Sequence, residues 1–77
     1  MNPIDFVRHF ESAVDDIAAG SLEPQTKFRD LPQWSSLAAL NIIAMVDAEC
    51  GVELLTEELR KCQSIEELFQ IVSAKKK

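Results

Sequence analysis

The sequence predicts an all-α fold, a small bundle of three main helices and one short helix, with a long loop between the first and second. Three observations predict it. Apolar residues recur every three or four positions within 6–17, 37–50 and 65–72, the spacing that lines one face of a helix. Start and stop signals bound those stretches: Asn2-Pro3, Ser35-Ser36 and Ser64 ahead of them, Gly51 behind the second. Finally, the 77 residues are 47% hydrophobic and 27% charged, the balance of one small globular domain spanning 1–77.

Asn2 is placed to cap the first helix, with Pro3 at its first position and Asp5 in the first turn. Phe6, Val7, Phe10, Ala13, Val14 and Ile17 form its apolar stripe, and Arg8, Glu11, Ser12 and Asp15 fall opposite. This helix is expected to end near Gly20. His9, towards the polar side and without a partner nearby in sequence, reads as a surface residue.

Residues 20–34 hold a glycine and two prolines and show no sustained period, so they read as loop. Leu22, Phe28, Leu31 and Trp34 within it need burial and should anchor it across the bundle. The second helix follows over 36–50, stopped by Gly51. On a helical wheel Ala39, Ile42, Ile43, Val46 and Cys50 make the expected core face. Leu37, Leu40, Ala44 and Ala48 make a second apolar face, interrupted by Asn41 and flanked by Asp47. So small a bundle has little with which to enclose both faces, so the second is expected to meet a partner. Thr56 reads as the cap of a short helix over 57–61. Ser64 and Glu67 form a capping box for the last one, with Ile65, Leu68, Phe69 and Val72 inward.

Charge narrows the partners. Eight basic and thirteen acidic residues give −5. Lys75, Lys76 and Lys77, expected as a frayed tail that can also help at a helix C-terminus, account for three of the bases, so the body of the domain is more acidic than that figure. Such a field repels nucleic acid and attracts basic protein surfaces. No apolar run approaches the roughly 20 residues of a membrane span, and the N-terminus lacks a signal-peptide pattern, so a cytoplasmic protein is expected. Met1 ahead of a capped helix reads as the start of a free-standing chain. Cys50 and Cys62, with His9 the one further soft ligand, fall short of a zinc set and read as reduced, buried thiols; no metal site is expected.

A helix start needs one capping serine, and here there are two. Ser35 suits the N-cap and Ser36 the first helical position, beside N–H groups that favour a phosphate. Catalysis by Ser36 is not supported, because the one histidine is His9 and no Gly-x-Ser-x-Gly turn is present. No catalytic residue is assigned and the chain is not expected to act alone as an enzyme.

From Phe6 to Val72 the chain resembles the acyl carrier protein family. The features that carry the resemblance are Trp34-Ser35-Ser36-Leu37 after a long loop, Cys50-Gly51-Val52-Glu53-Leu54 at the end of the second helix, then a short helix and a capped last one. The resemblance implies that Ser36 takes covalent 4'-phosphopantetheine from coenzyme A through a phosphopantetheinyl transferase. It further implies that acyl chains travel as thioesters on that arm in fatty-acid or polyketide-like biosynthesis. Ser35, Leu37, Leu40, Asn41, Ala44 and Asp47 would then meet partners, namely the transferase and acyl-activating, acyltransferase or ketosynthase enzymes with basic docking patches. A monomer is expected. Two departures stand out. Ser35 occupies the position where the family usually has aspartate, and Asn41 and Ala48 stand where glutamates are common. The alternative is therefore a carrier-like helical adaptor that is not modified and binds through the outer face of the second helix.

Overall fold

A computed structural model describes residues 2–76. Among the described residues there are four α-helices: α1 Pro3–Ala13, α2 Ser36–Cys50, α3 Thr56–Lys61 and α4 Ile65–Lys75. A 3-10 turn at Phe28–Asp30, which the sequence pattern does not signal, interrupts the long connection. Among the described residues there is no strand, and no helix is long and apolar enough to cross a membrane.

Helix α1 starts as its sequence predicts, with Asn2 Oδ1 accepting from the Asp5 N–H at 2.8 Å. It buries Phe6, Val7 and Phe10, but it stops at Ala13, well short of Gly20. The reason is Glu11. That residue, expected to face solvent, is 2% exposed, and its two carboxylate oxygens accept the Gly20 and Leu22 N–H groups at 2.9 Å each. A helix continued to Gly20 would carry that residue about 13 Å along the axis from Glu11. The chain turns back instead, through an extended Val14 and an Asp16 at φ 66, a left-handed conformation that aspartate tolerates better than most residues.

The loop is anchored as predicted. Phe28 and Leu22 are buried, and Leu31 and Trp34 pack half-buried against the core. Phe10, Phe28 and Trp34 form an aromatic cluster, with Phe28 edge-on to Trp34 at 4.8 Å and Trp34 stacked on Phe10 at 6.1 Å. The loop also completes other elements: Pro24 and Thr26 carbonyls accept the Glu66 and Ile65 N–H groups at the start of α4. Arg29 donates to the Arg60 carbonyl at the end of α3. Carbonyls and N–H groups left open at helix ends are thus paired by loop atoms.

In α2 the buried stripe is Ala38, Ile42, Val46 and Cys50, four residues apart throughout. Ala39 and Ile43, expected on the core face, are half-buried. A helix apolar on two sides carries little amphipathic signal, so its rotation is set by packing rather than by its own pattern. Gly51 closes it in the left-handed region at φ 65, its N–H bonded to the Asp47 carbonyl. Thr56 is the first residue of α3 and not its cap; Leu55 holds that position, and Glu58 Oε1 accepts the Leu55 N–H at 2.9 Å. The Ser64–Glu67 box opens α4 as expected. Ile65, Leu68 and Val72 are buried and Phe69 is half-buried, its ring 5.3 Å from Phe6.

Three smaller expectations change. His9 is half-buried with Nδ1 3.9 Å from Glu49 on α2, a partner distant in sequence. Lys75 belongs to the last turn of α4, pairing with Glu58 and donating to the Glu53 carbonyl at 2.9 Å, so the frayed tail does not include it. Lys77 lies outside the described residues. Cys50 and Cys62 are free and buried, and burial pushes both thiols to higher pKa.

Burial acts to raise the Glu11 pKa, but the Gly20 and Leu22 N–H groups together with Arg8 outweigh it and hold it below the ordinary value. Stability from ionised Glu11 is therefore complete above the ordinary glutamate pKa of about 4.3 and is lost as pH falls through the lower folded-state value. Glu11→Ala should cost about 2–4 kcal/mol by stranding two N–H groups. In pH-dependent melting it should also flatten the acid limb below about pH 4.3; an unaltered acid limb would show that Glu11 does not govern it.

Candidate functional site

The site builds from the start of α2. Ser35 is extended and its Oγ accepts the Ala38 N–H at 3.1 Å, so the capping role belongs to this residue. Ser36 is the first helical residue and is exposed. Its hydroxyl makes no hydrogen bond among the described residues and stands at a helix end where N–H groups lack intrahelical partners and the dipole favours an anion. The first turn of α2 contains no acidic side chain.

Of the residues expected to meet partners, Ser35, Leu37, Leu40, Ala44 and Asp47 are exposed. Leu37 and Leu40 are each 61% exposed, the largest such fractions among the exposed large hydrophobic residues. Leu40, Ala44 and Asp47 share a shallow depression with Ile43, Glu53 and Leu54. Asn41 stands apart from these. It is half-buried and lines a separate depression against α1 with His9, Ser12, Ala13, Ala44, Met45 and Glu49. The outer face of α2 is thus continuous from Leu37 to Asp47 along one side, with Asn41 at its α1 border.

Ser36 also borders a groove of about 420 Å³. Trp34, Ala39, Leu40, Ile43 and Leu59 give it apolar walls, and Ser35, Ser36, Thr56, Arg29 and Arg60 supply its polar groups. Ala39 and Ile43, displaced from the core face, are what open this space beside α3. Sequence patterning does not reveal the groove, because it depends on the rotation of α2 and on Arg29 and Arg60 meeting across 31 positions of chain. Glu53, which with the buried Leu54 borders the outer depression, likewise carries no periodic signal.

The two apolar sides of α2 make opposite predictions. Val46 is fully buried, so Val46→Asp would strand a charge and cost about 4 kcal/mol or more, a large part of the stability of a small domain. Leu40→Asp should shift stability by no more than about 0.5 kcal/mol. Thermal melts followed by circular dichroism check both, and a collapse of the Leu40→Asp protein would reverse the assignment of faces.

No family model matches this chain, and no curated protein or solved structure matches it either.

Proposed function

We propose that this chain is an acyl carrier protein that accepts 4'-phosphopantetheine on Ser36. The observation that carries the reading is the division of labour between the two serines. Ser35 occupies the capping hydrogen bond, and Ser36 stands exposed and uncommitted at the helix N-terminus. A phosphodiester on Ser36 Oγ would lie against the open N–H end of α2. The bound group would supply a thiol on a long flexible arm, on which an acyl chain is held as a thioester. The protein's own part is presentation, and the chemistry belongs to partners.

Docking follows from the surface beside the serine. Leu37, Leu40 and Ala44 offer a small apolar patch, with Asp47 and Glu53 at its edge. Acids of this kind accelerate encounter with a basic partner, and a small patch gives affinity weak enough for release. On this reading the partners are a phosphopantetheinyl transferase and acyl-activating, acyltransferase or ketosynthase enzymes of fatty-acid or polyketide-like biosynthesis. The protein works as a cytoplasmic monomer.

One observation favours a second reading. The first turn of α2 has no acid, Ser35 standing where aspartate is usual in the family that the sequence resembles. A transferase that docks on that acid would find none. The chain would then be an unmodified helical adaptor, binding through the same Leu37, Leu40 and Ala44 face.

Intact mass after incubation with coenzyme A and a broad-specificity transferase separates the two. The carrier reading expects a gain of one phosphopantetheine in wild type and Ser35→Ala, and none in Ser36→Ala. A wild-type protein that stays unmodified under conditions that load a control carrier would leave the adaptor reading in its place.

A further inference from the structure

The charge of the groove beside Ser36 runs against that of the molecule. In a chain of net charge −5, Arg29 and Arg60 both border this one groove. Arg8 pairs with Glu11 and Lys75 with Glu58, whereas Lys27, Lys61 and Lys76, like the two exposed arginines, make no ion pair among the described residues. What sets Arg29 and Arg60 apart is that they share one groove. Neither Arg29 nor Arg60 has a carboxylate within ion-pair distance among the described residues, although acids outnumber bases thirteen to eight. Asp30, adjacent to Arg29, lines a different depression with Lys27, Arg29 and Gln63 and makes no ion pair.

Arg29 is held in place. Its guanidinium donates to the Arg60 carbonyl, which ties the loop to the end of α3 and brings the two arginines to the same rim. A guanidinium with one donor spent on a carbonyl has others left for a second acceptor. Ser35, Ser36 and Thr56 add hydroxyls, and the walls below are Trp34, Ile43 and Leu59. The volume of about 420 Å³ falls in the range of small-molecule sites. The depressions on the other sides of α2 lack this combination, for one holds Glu49 with His9, the other Asp47 and Glu53, and neither holds an arginine or a lysine.

We propose that the groove between the start of α2 and α3 binds a small amphipathic anion, an alkyl chain ending in a carboxylate or phosphate. Arg29 and Arg60 take its charged head, and Trp34, Ile43 and Leu59 take its body. The inference is independent of the carrier reading, because it concerns a free anion on protein whose Ser36 is unmodified. What the groove selects is charge joined to an apolar chain; guanidinium groups pair with carboxylate and phosphate alike.

Trp34 is the one tryptophan of the chain and lines the groove, so its fluorescence reports occupancy. The full chain, shown by intact mass to carry no added group, is titrated with octanoate, octyl phosphate and octanol below their aggregation thresholds. Saturable binding of octanoate or octyl phosphate is expected, with octanol about tenfold weaker, an energy difference of about 1.4 kcal/mol. The tighter of the two anions identifies the head group. Arg60→Gln should weaken anion binding about tenfold and leave octanol unaffected. It keeps the Arg60 backbone carbonyl that Arg29 uses, so its melting temperature should match wild type, whereas Arg29→Gln also removes a loop contact. Added salt should weaken the anions alone. Equal binding of octanol and octanoate, no saturable change in Trp34, or an Arg60→Gln protein that binds octanoate as wild type does would each overturn the proposal.

Discussion

The Glu11 carboxylate, taken into the interior and bonded to the Gly20 and Leu22 N–H groups, determines where the first helix ends and where the long loop begins. Burying such a group without partners would cost several kcal/mol, so its position is tolerable only if the turn closes on it. Closure in turn fixes Leu22 as a buried anchor and starts the loop towards Phe28. From there Phe28 and Trp34 pack on Phe10, and the chain is delivered to Ser35 in the extended conformation that a helix cap requires. The presentation of Ser36 at the surface therefore depends on a residue at the far end of the loop. A loop of this length would otherwise lose about 1–2 kcal/mol of backbone entropy per ordered residue with little burial to offset it. The aromatic cluster and the carbonyls given to α4 supply part of that compensation.

Helix α2 shows how one helix can pack into a core and still present apolar surface when its amphipathic pattern is weak. Its core contacts come from a narrow stripe, Ala38, Ile42, Val46 and Cys50, which leaves apolar residues on both flanks. One flank, Leu37, Leu40 and Ala44, stays open. The other, Ala39 and Ile43, lines the groove beside α3, which Leu40 also borders. A broader core face would bury the second flank and close the groove. The apolar excess of α2 is therefore distributed between two surfaces, and it is not spent on stability.

Much of this is legible in the sequence. Asn2, Ser35, Gly51, Ser64 and Glu67 mark helix ends because capping is local chemistry, decided within three or four residues. The anchors Leu22, Phe28, Leu31 and Trp34 can be read because isolated apolar side chains in a polar loop need cover. Glu11 could not be read, since its partners are N–H groups nine and eleven positions away and every residue type offers those. The rotation of α2 was unreadable for the reason that makes the helix useful: a helix apolar on two sides does not say which side is inside. Hence Ile43 was expected in the core and is found on the groove. Leu37, Leu40, Ala44 and Asp47 are exposed as the second apolar face predicts, whereas Asn41, at the border with α1, is half-buried.

Charge organisation completes the connection between fold and site. The acids at the edge of the outer face, Asp47 and Glu53, lie on the side of α2 away from its N-terminus. The arginines border the groove beside that N-terminus together with Ser35 and Ser36. Along one helix the surface thus passes from an anion-attracting end to an anion-repelling flank. Such a field would favour an anion beside the arginines and disfavour one beside Asp47 and Glu53. The groove and the outer depression nevertheless share Leu40 and Ile43, so the two surfaces meet along this edge of α2. Their meeting follows from the narrow core stripe of α2: with only Ala38, Ile42, Val46 and Cys50 turned fully inward, Leu40 and Ile43 are left to both surfaces.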